Sequence, residues 1–100
     1  MIFERYLDDT YLKLLYDNYE DYYLKSIDED VFEKIYGLLL EKGITCINDL
    51  IIYYIEAFNI DYECMKKALD NLDDNFNERL NKDLTIFESV IREALQYSEE

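Results

Sequence analysis

One hundred residues with twenty-four acids, ten bases and no histidine carry a formal charge of −14. That length suits one domain with a single core, and a chain that is 50% hydrophobic and 16% aromatic is too apolar for disorder. The charge disfavours direct binding to nucleic acid or to an anionic membrane and favours basic partners.

The start, MIFERYLDD, has neither a basic beginning nor an apolar run of signal-peptide length, so a soluble, cytoplasmic protein is expected. Proline is absent and only Gly37 and Gly43 occur, so the usual punctuation of strands and turns is missing. Helices follow as the default.

A first helix is expected over residues 3–25. Tyr11, Leu12, Leu15, Tyr16, Tyr19, Tyr22 and Tyr23 share one side at 100° per residue, and Lys13, Asp17, Glu20 and Asp21 the other. Phe3, Tyr6, Leu7 and Leu14 lie on a different side, so this helix either bends near Asp8, Asp9 and Thr10 or is contacted on two sides. Ser26 and Glu29 then read as a capping box for a second helix over residues 28–42, which Gly43 ends as a left-handed C-cap. Its core face is Val31, Phe32, Ile35, Leu38 and Leu39. Gly37 weakens this helix by about 1 kcal/mol, a cost that close packing would explain.

The widest apolar stripe runs over residues 47–58, where Ile47, Leu50, Ile51, Tyr54, Ile55 and Phe58 recur at helical spacing. With Ile52 and Tyr53 off the stripe, this element reads as a central helix enclosed on most sides. Asn59 or Asp61 can cap a helix over residues 62–80, whose stripe is Met65, Leu69, Leu72, Phe76 and Leu80. A last helix starts at Asn81 or Asp83, with Thr85 and Glu88 as a second capping box and Leu84, Phe87, Ile91, Ala94 and Leu95 facing inward. The sum is an all-α domain, a bundle of four to five helices with short loops.

Chemistry finds little material. Without histidine, and with Cys46 and Cys64 expected as reduced core thiols, nucleophile-and-base catalysis lacks its components. The stretch from Asp73 to Leu84 imitates a calcium loop at Asp73, Asn75 and Asn77, but places Glu78 where glycine is needed and Leu84 where glutamate is needed. Nothing resembles a zinc set or a phosphate-cradling loop, so a non-enzymatic protein without metal or cofactor is expected.

Protein binding remains, and two acidic surfaces are its candidates. Asp17, Glu20, Asp21, Asp28, Glu29 and Asp30 form the first, and Asp70, Asp73, Asp74 and Glu78 the second. Rows of carboxylate on a helix can occupy a groove lined with Lys and Arg, the kind of groove that otherwise receives phosphates. Tyr19 and Tyr23, with Tyr22, read either as the margin of the core or as part of a partner or homodimer interface. The leading expectation is an inhibitor that occupies the basic site of a nucleic-acid-binding enzyme or repressor. An immunity or antitoxin-type protein and a self-associating structural module are the alternatives. Helix capping accounts for Asp28, Glu29 and Asp30 in part, so Asp17, Glu20 and Asp21 make the stronger candidate.

Overall fold

The structure is a computed structural model that describes residues 1–99. Those residues form eight α-helices and two short 3-10 segments and include no strand, so the all-α class holds while the helix count rises. The added helices come from breaks that neither glycine nor proline makes.

The expected first helix is three helices: α1 (Phe3–Tyr6), α2 (Asp9–Asn18) and α3 (Asp21–Lys25). Leu7 and Asp8 are extended, and the Asp8 carboxylate accepts the Tyr11 N–H at 3.0 Å, starting α2 afresh. Tyr19 and Glu20 are extended as well, which separates α2 from α3. The single helical face assigned to Asp17, Glu20 and Asp21 therefore does not exist, because the break falls between them.

Helix α4 (Glu29–Glu41) is close to its expected bounds, but the capping box is not formed. Asp28 is the cap, its Oδ1 accepting the N–H groups of Asp30 at 2.9 Å and Val31 at 3.2 Å. The Ser26 hydroxyl donates instead to the Tyr23 carbonyl at 2.5 Å, and Glu29 accepts the N–H of Ile2 at 2.9 Å, tying α1 to α4. The C-terminus behaves as read: Gly43 sits at φ +80°, the Gly43 N–H reaches the Leu40 carbonyl, and the Ile44 N–H reaches that of Leu39, each at 3.0 Å. That is a Schellman ending, sealed by the buried pair Leu39 and Ile44. Gly37 has no packing reason, since it is exposed and an added Cβ would meet nothing within 4 Å.

The central stripe is buried as expected except for Tyr54, which is half-buried, but its helix is shorter. Helix α5 (Ile47–Tyr53) ends at Tyr54, and a 3-10 segment (Ile55–Asn59) continues the chain. Tightening the turn there sinks Ile55, Ala57 and Phe58 completely, while Ile52 is buried and Tyr53 is exposed. Residues 62–80 likewise divide into α6 (Tyr62–Asp70) and α7 (Phe76–Lys82). Asp61 caps α6 through the Cys64 N–H at 3.2 Å, and Asp73 turns the intervening chain by accepting the Asn75 N–H at 3.1 Å. Asn59, the other expected cap, accepts the Asp28 N–H at 3.2 Å.

Asp83 begins the last element, accepting the N–H of Thr85 at 3.1 Å and its hydroxyl at 2.6 Å. A 3-10 turn (Leu84–Ile86) then runs into α8 (Phe87–Ser98). Thr85 and Glu88 form no capping box, because Glu88 accepts the Tyr54 hydroxyl at 3.1 Å. Phe87, Val90, Ile91 and Ala94 face the core, whereas Leu95, expected inside, is 47% exposed.

Helices α6 and α8 pack together, α2 lies on α5, and α4 lies against α5, α6 and the segment Ile55–Asn59. The buried side chains form one cluster with Phe32 near its middle: its ring centroid is 5.2 Å from Phe3 and 5.1 Å from Phe58. Tyr6 and Tyr36 extend the aromatic group to the surface at 4.2 Å from each other. The radius of gyration, 13.1 Å, is what about 100 compactly folded residues give. Cys46 and Cys64 are thiols but sit half-buried, at the core's margin and not inside it.

Candidate protein-binding surface

The two acidic surfaces differ in how their charge is compensated. Around the α6–α7 break, Asp70 receives both Lys42 and Lys66, Asp73 pairs with Arg79 at 3.2 Å, and Glu78 with Lys82 at 3.6 Å. The two lysines hold the Asp70 carboxyl below its usual range through hydrogen bonds and charge. Only Asp74 is left without an ion pair or hydrogen bond among the described residues. Four cations thus answer three of the four acids, and with equal numbers of the two signs this surface is close to neutral.

The surface at the α2–α3 corner is not. Between Tyr16 and Asp30 the chain carries six carboxylates and one cation, Lys25. Lys25 pairs with Asp21 at 2.9 Å, whereas the exposed Asp17, Glu20 and Asp30 make no ion pair or side-chain hydrogen bond among the described residues. Asp28 is committed to capping α4 and Glu29 to the N–H of Ile2. Glu20 stands at the N-cap position of α3 without using its side chain there, and it is exposed to solvent. The corner is positioned from below: the Tyr19 N–H closes α2 on the Leu15 carbonyl at 3.1 Å, and the Asn18 side chain reaches the Ile52 carbonyl. Tyr16, Asp17, Asn18, Tyr19, Glu20 and Asp21 together line a shallow polar depression.

The tyrosines separate into two groups. Tyr19 and Tyr23 pack against the core and stack with ring centroids 5.8 Å apart, while Tyr22 is 75% exposed and Tyr16 is 41% exposed. Burial pushes the Tyr19 and Tyr23 phenols up, and the nearby Glu56 carboxylate adds to the rise in both. The Tyr16 phenol is raised by burial and by the charges of Glu4 and Asp21. Tyr54 is raised by burial, by its hydrogen bond to Glu88 and by Glu56.

These couplings trace a tract that the sequence did not disclose. Glu4 and Asp21 flank Tyr16, Tyr19 continues to Glu56, and Glu56 leads to Tyr54 and Glu88. Carboxylates and tyrosines alternate along it, with Lys13, Lys25 and Arg92 as neighbouring cations. Glu4, Glu56 and Glu88 lie in separate elements, so no spacing rule could have grouped them with the corner. Among the described residues no cluster of three or more cysteines or carboxylates is placed to hold a metal ion, and no helix is long and apolar enough to cross a membrane.

No protein-family model matches the chain, and no match was found among curated proteins or solved structures.

Proposed function

We propose that the protein is a non-enzymatic binding module whose acidic tract at the α2–α3 corner occupies the basic, nucleic-acid-binding site of a partner protein, as an inhibitor would. The observation that carries this reading is the uneven compensation of charge. Cations are spent on the surface around Asp70, Asp73 and Glu78, while Asp17 and Glu20 stand unanswered beside Asp21. A protein with a formal charge of −14 gains nothing in stability from such crowding, but gains long-range attraction toward a cationic groove. Exposed Tyr16 and Tyr22 add aromatic faces on which guanidinium groups of such a groove can stack.

The test is affinity purification from lysate of the source cells at low and high salt. The expected result is recovery at low salt of a nucleic-acid-binding protein that salt releases and duplex DNA displaces. A triple reversal, Asp17→Lys, Glu20→Lys and Asp21→Lys, abolishes that recovery, while Asp73→Lys with Asp74→Lys leaves it in place. Recovery of no basic protein, or recovery indifferent to the corner reversal, would reject the proposal.

A further inference from the structure

Apart from the acidic tract, the structure leaves open a recess of mixed lining, in which apolar side chains stand beside the polar Thr45 and Asn48. It lies between the first turn of α2, the last two turns of α4 and the loop that leads into α5. Tyr11 and Tyr36 form its walls and Leu40 its exposed aliphatic surface, over the buried Ile44 and Ile47, with the Cys46 thiol at one side. Leu40 is 57% exposed at this place, a large apolar side chain for which the fold itself has no use. Tyr36 continues into its ring contact with Tyr6, and Tyr53, 58% exposed, lies near Tyr11, so the apolar lining extends beyond the recess on both sides.

The rim is acidic on the side of Asp8 and Asp49, and at the other end Arg5 pairs with Glu33. Asp49 accepts the Tyr11 hydroxyl at 3.1 Å, Asp8 lies close enough to act on the same phenol, and Glu33 stands beside Tyr6 at the other end. Arg5 is engaged by Glu33 at 2.8 Å. Leu40 and the two tyrosine rings beside an acidic edge are complementary to an element with an apolar stripe flanked by Lys or Arg. A second copy of this chain is a poor occupant, since it would bring another formal charge of −14 against the first.

We infer that this groove is a docking site for a basic amphipathic helix of a partner protein, whose apolar stripe covers Leu40 and whose cations meet Asp8 and Asp49. None of the groove's lining residues belongs to the α2–α3 corner, so the inference stands apart from the function proposed above. Leu40 is exposed, hence replacing it perturbs docking without opening the core.

The probe is a synthetic amphipathic helix of leucine and lysine, about four turns long. A peptide of identical composition, scrambled to destroy the apolar stripe, carries the same charge and serves as its control. Binding is followed by calorimetry and by the alkylation rate of Cys46, resolved from that of Cys64 by peptide mapping. The expected result is that the amphipathic peptide binds and slows Cys46 alkylation in step with occupancy, while Cys64, which lies outside the groove on α6, serves as the reference and keeps its rate. Leu40→Asp weakens binding about tenfold or more, as loss of a leucine buried on docking should, and Leu95→Asp, also exposed but on α8, leaves it unchanged. At saturating peptide the triple reversal at Asp17, Glu20 and Asp21 still shows Cys46 protected, which separates this site from the corner. Equal binding of the scrambled peptide, an unaltered Cys46 rate, or indifference to Leu40→Asp would overturn the inference. So would a dimer of the protein alone in which Cys46 is already shielded.

Discussion

Replacing Gly37 by alanine is expected to stabilise the protein, and replacing Gly43 by alanine to destabilise it. Gly37 lies inside α4 with helical neighbours on both sides, is exposed, and would give an added Cβ no atom within 4 Å. The substitution therefore adds no clash and buries nothing; it acts by restricting the unfolded chain and by raising helix propensity. Those effects are worth about 0.5–1 kcal/mol. Gly43 stands at φ +80°, where a Cβ crowds the following carbonyl at a cost of about 1–2 kcal/mol. For a domain of this size each kcal/mol moves the midpoint by about 4–8 °C. Gly37→Ala should thus raise Tm by about 2–8 °C and Gly43→Ala should lower it by about 4 °C or more. Thermal unfolding followed by circular dichroism reads both. A fall in Tm for Gly37→Ala would refute the reasoning, because it would mean that the chain packs closely there, as the sequence had suggested.

Three further outcomes follow from the packing and capping. Asp28→Ala should cost about 1 kcal/mol in urea unfolding and Ser26→Ala far less, since Asp28 and not Ser26 holds the first N–H groups of α4. Phe32→Ala should cost about 3–5 kcal/mol, because the ring is fully buried between Phe3 and Phe58; a loss under about 1 kcal/mol would place Phe32 outside the core. The phenols of Tyr6, Tyr11, Tyr19, Tyr23 and Tyr54 are all raised above 10.0 in the folded protein. A raised folded value means that their contribution is complete below the unfolded value and is lost as pH climbs through the folded values. Spectrophotometric titration should show late-ionising tyrosines, with unfolding setting in above about pH 10; tyrosines that all titrate like the free amino acid would contradict it.

Much of the core was legible from periodicity. Ile47, Leu50, Ile51, Tyr54, Ile55 and Phe58 were read as one stripe and all but the half-buried Tyr54 are buried, although the helix beneath them changes to a tighter turn at Tyr54. The breaks were not legible, for a chemical reason. Punctuation was sought in glycine and proline, and the chain is punctuated by carboxylates: Asp8, Asp28, Asp61 and Asp83 each hold the N–H groups that begin a new element. The same residues inflate the acidic count, so part of the charge that suggested a binding surface is spent on local structure. The α6–α7 acids were misleading in the same way, because Lys42, from another helix, and Lys66, one turn away, both converge on Asp70. Conversely, Glu56 joins Tyr19 and Tyr23, and Glu88 joins Tyr54, only through folding, which brings together residues far apart in the chain.

The longest helix, α4, has 13 residues, and α1 has four. Isolated helices below about 12–15 residues are marginal in water, so almost no segment of this chain can hold its shape as a free peptide. Each short piece owes its order to its neighbours, as α1 does to α4 through the bonds of Ile2 to Glu29 and of Arg5 to Glu33. Folding should accordingly be all-or-none, with no helical intermediate surviving denaturant. A single proteolytic cut in the α6–α7 connection should release fragments that lose their helicity together and do not persist as separate stable halves.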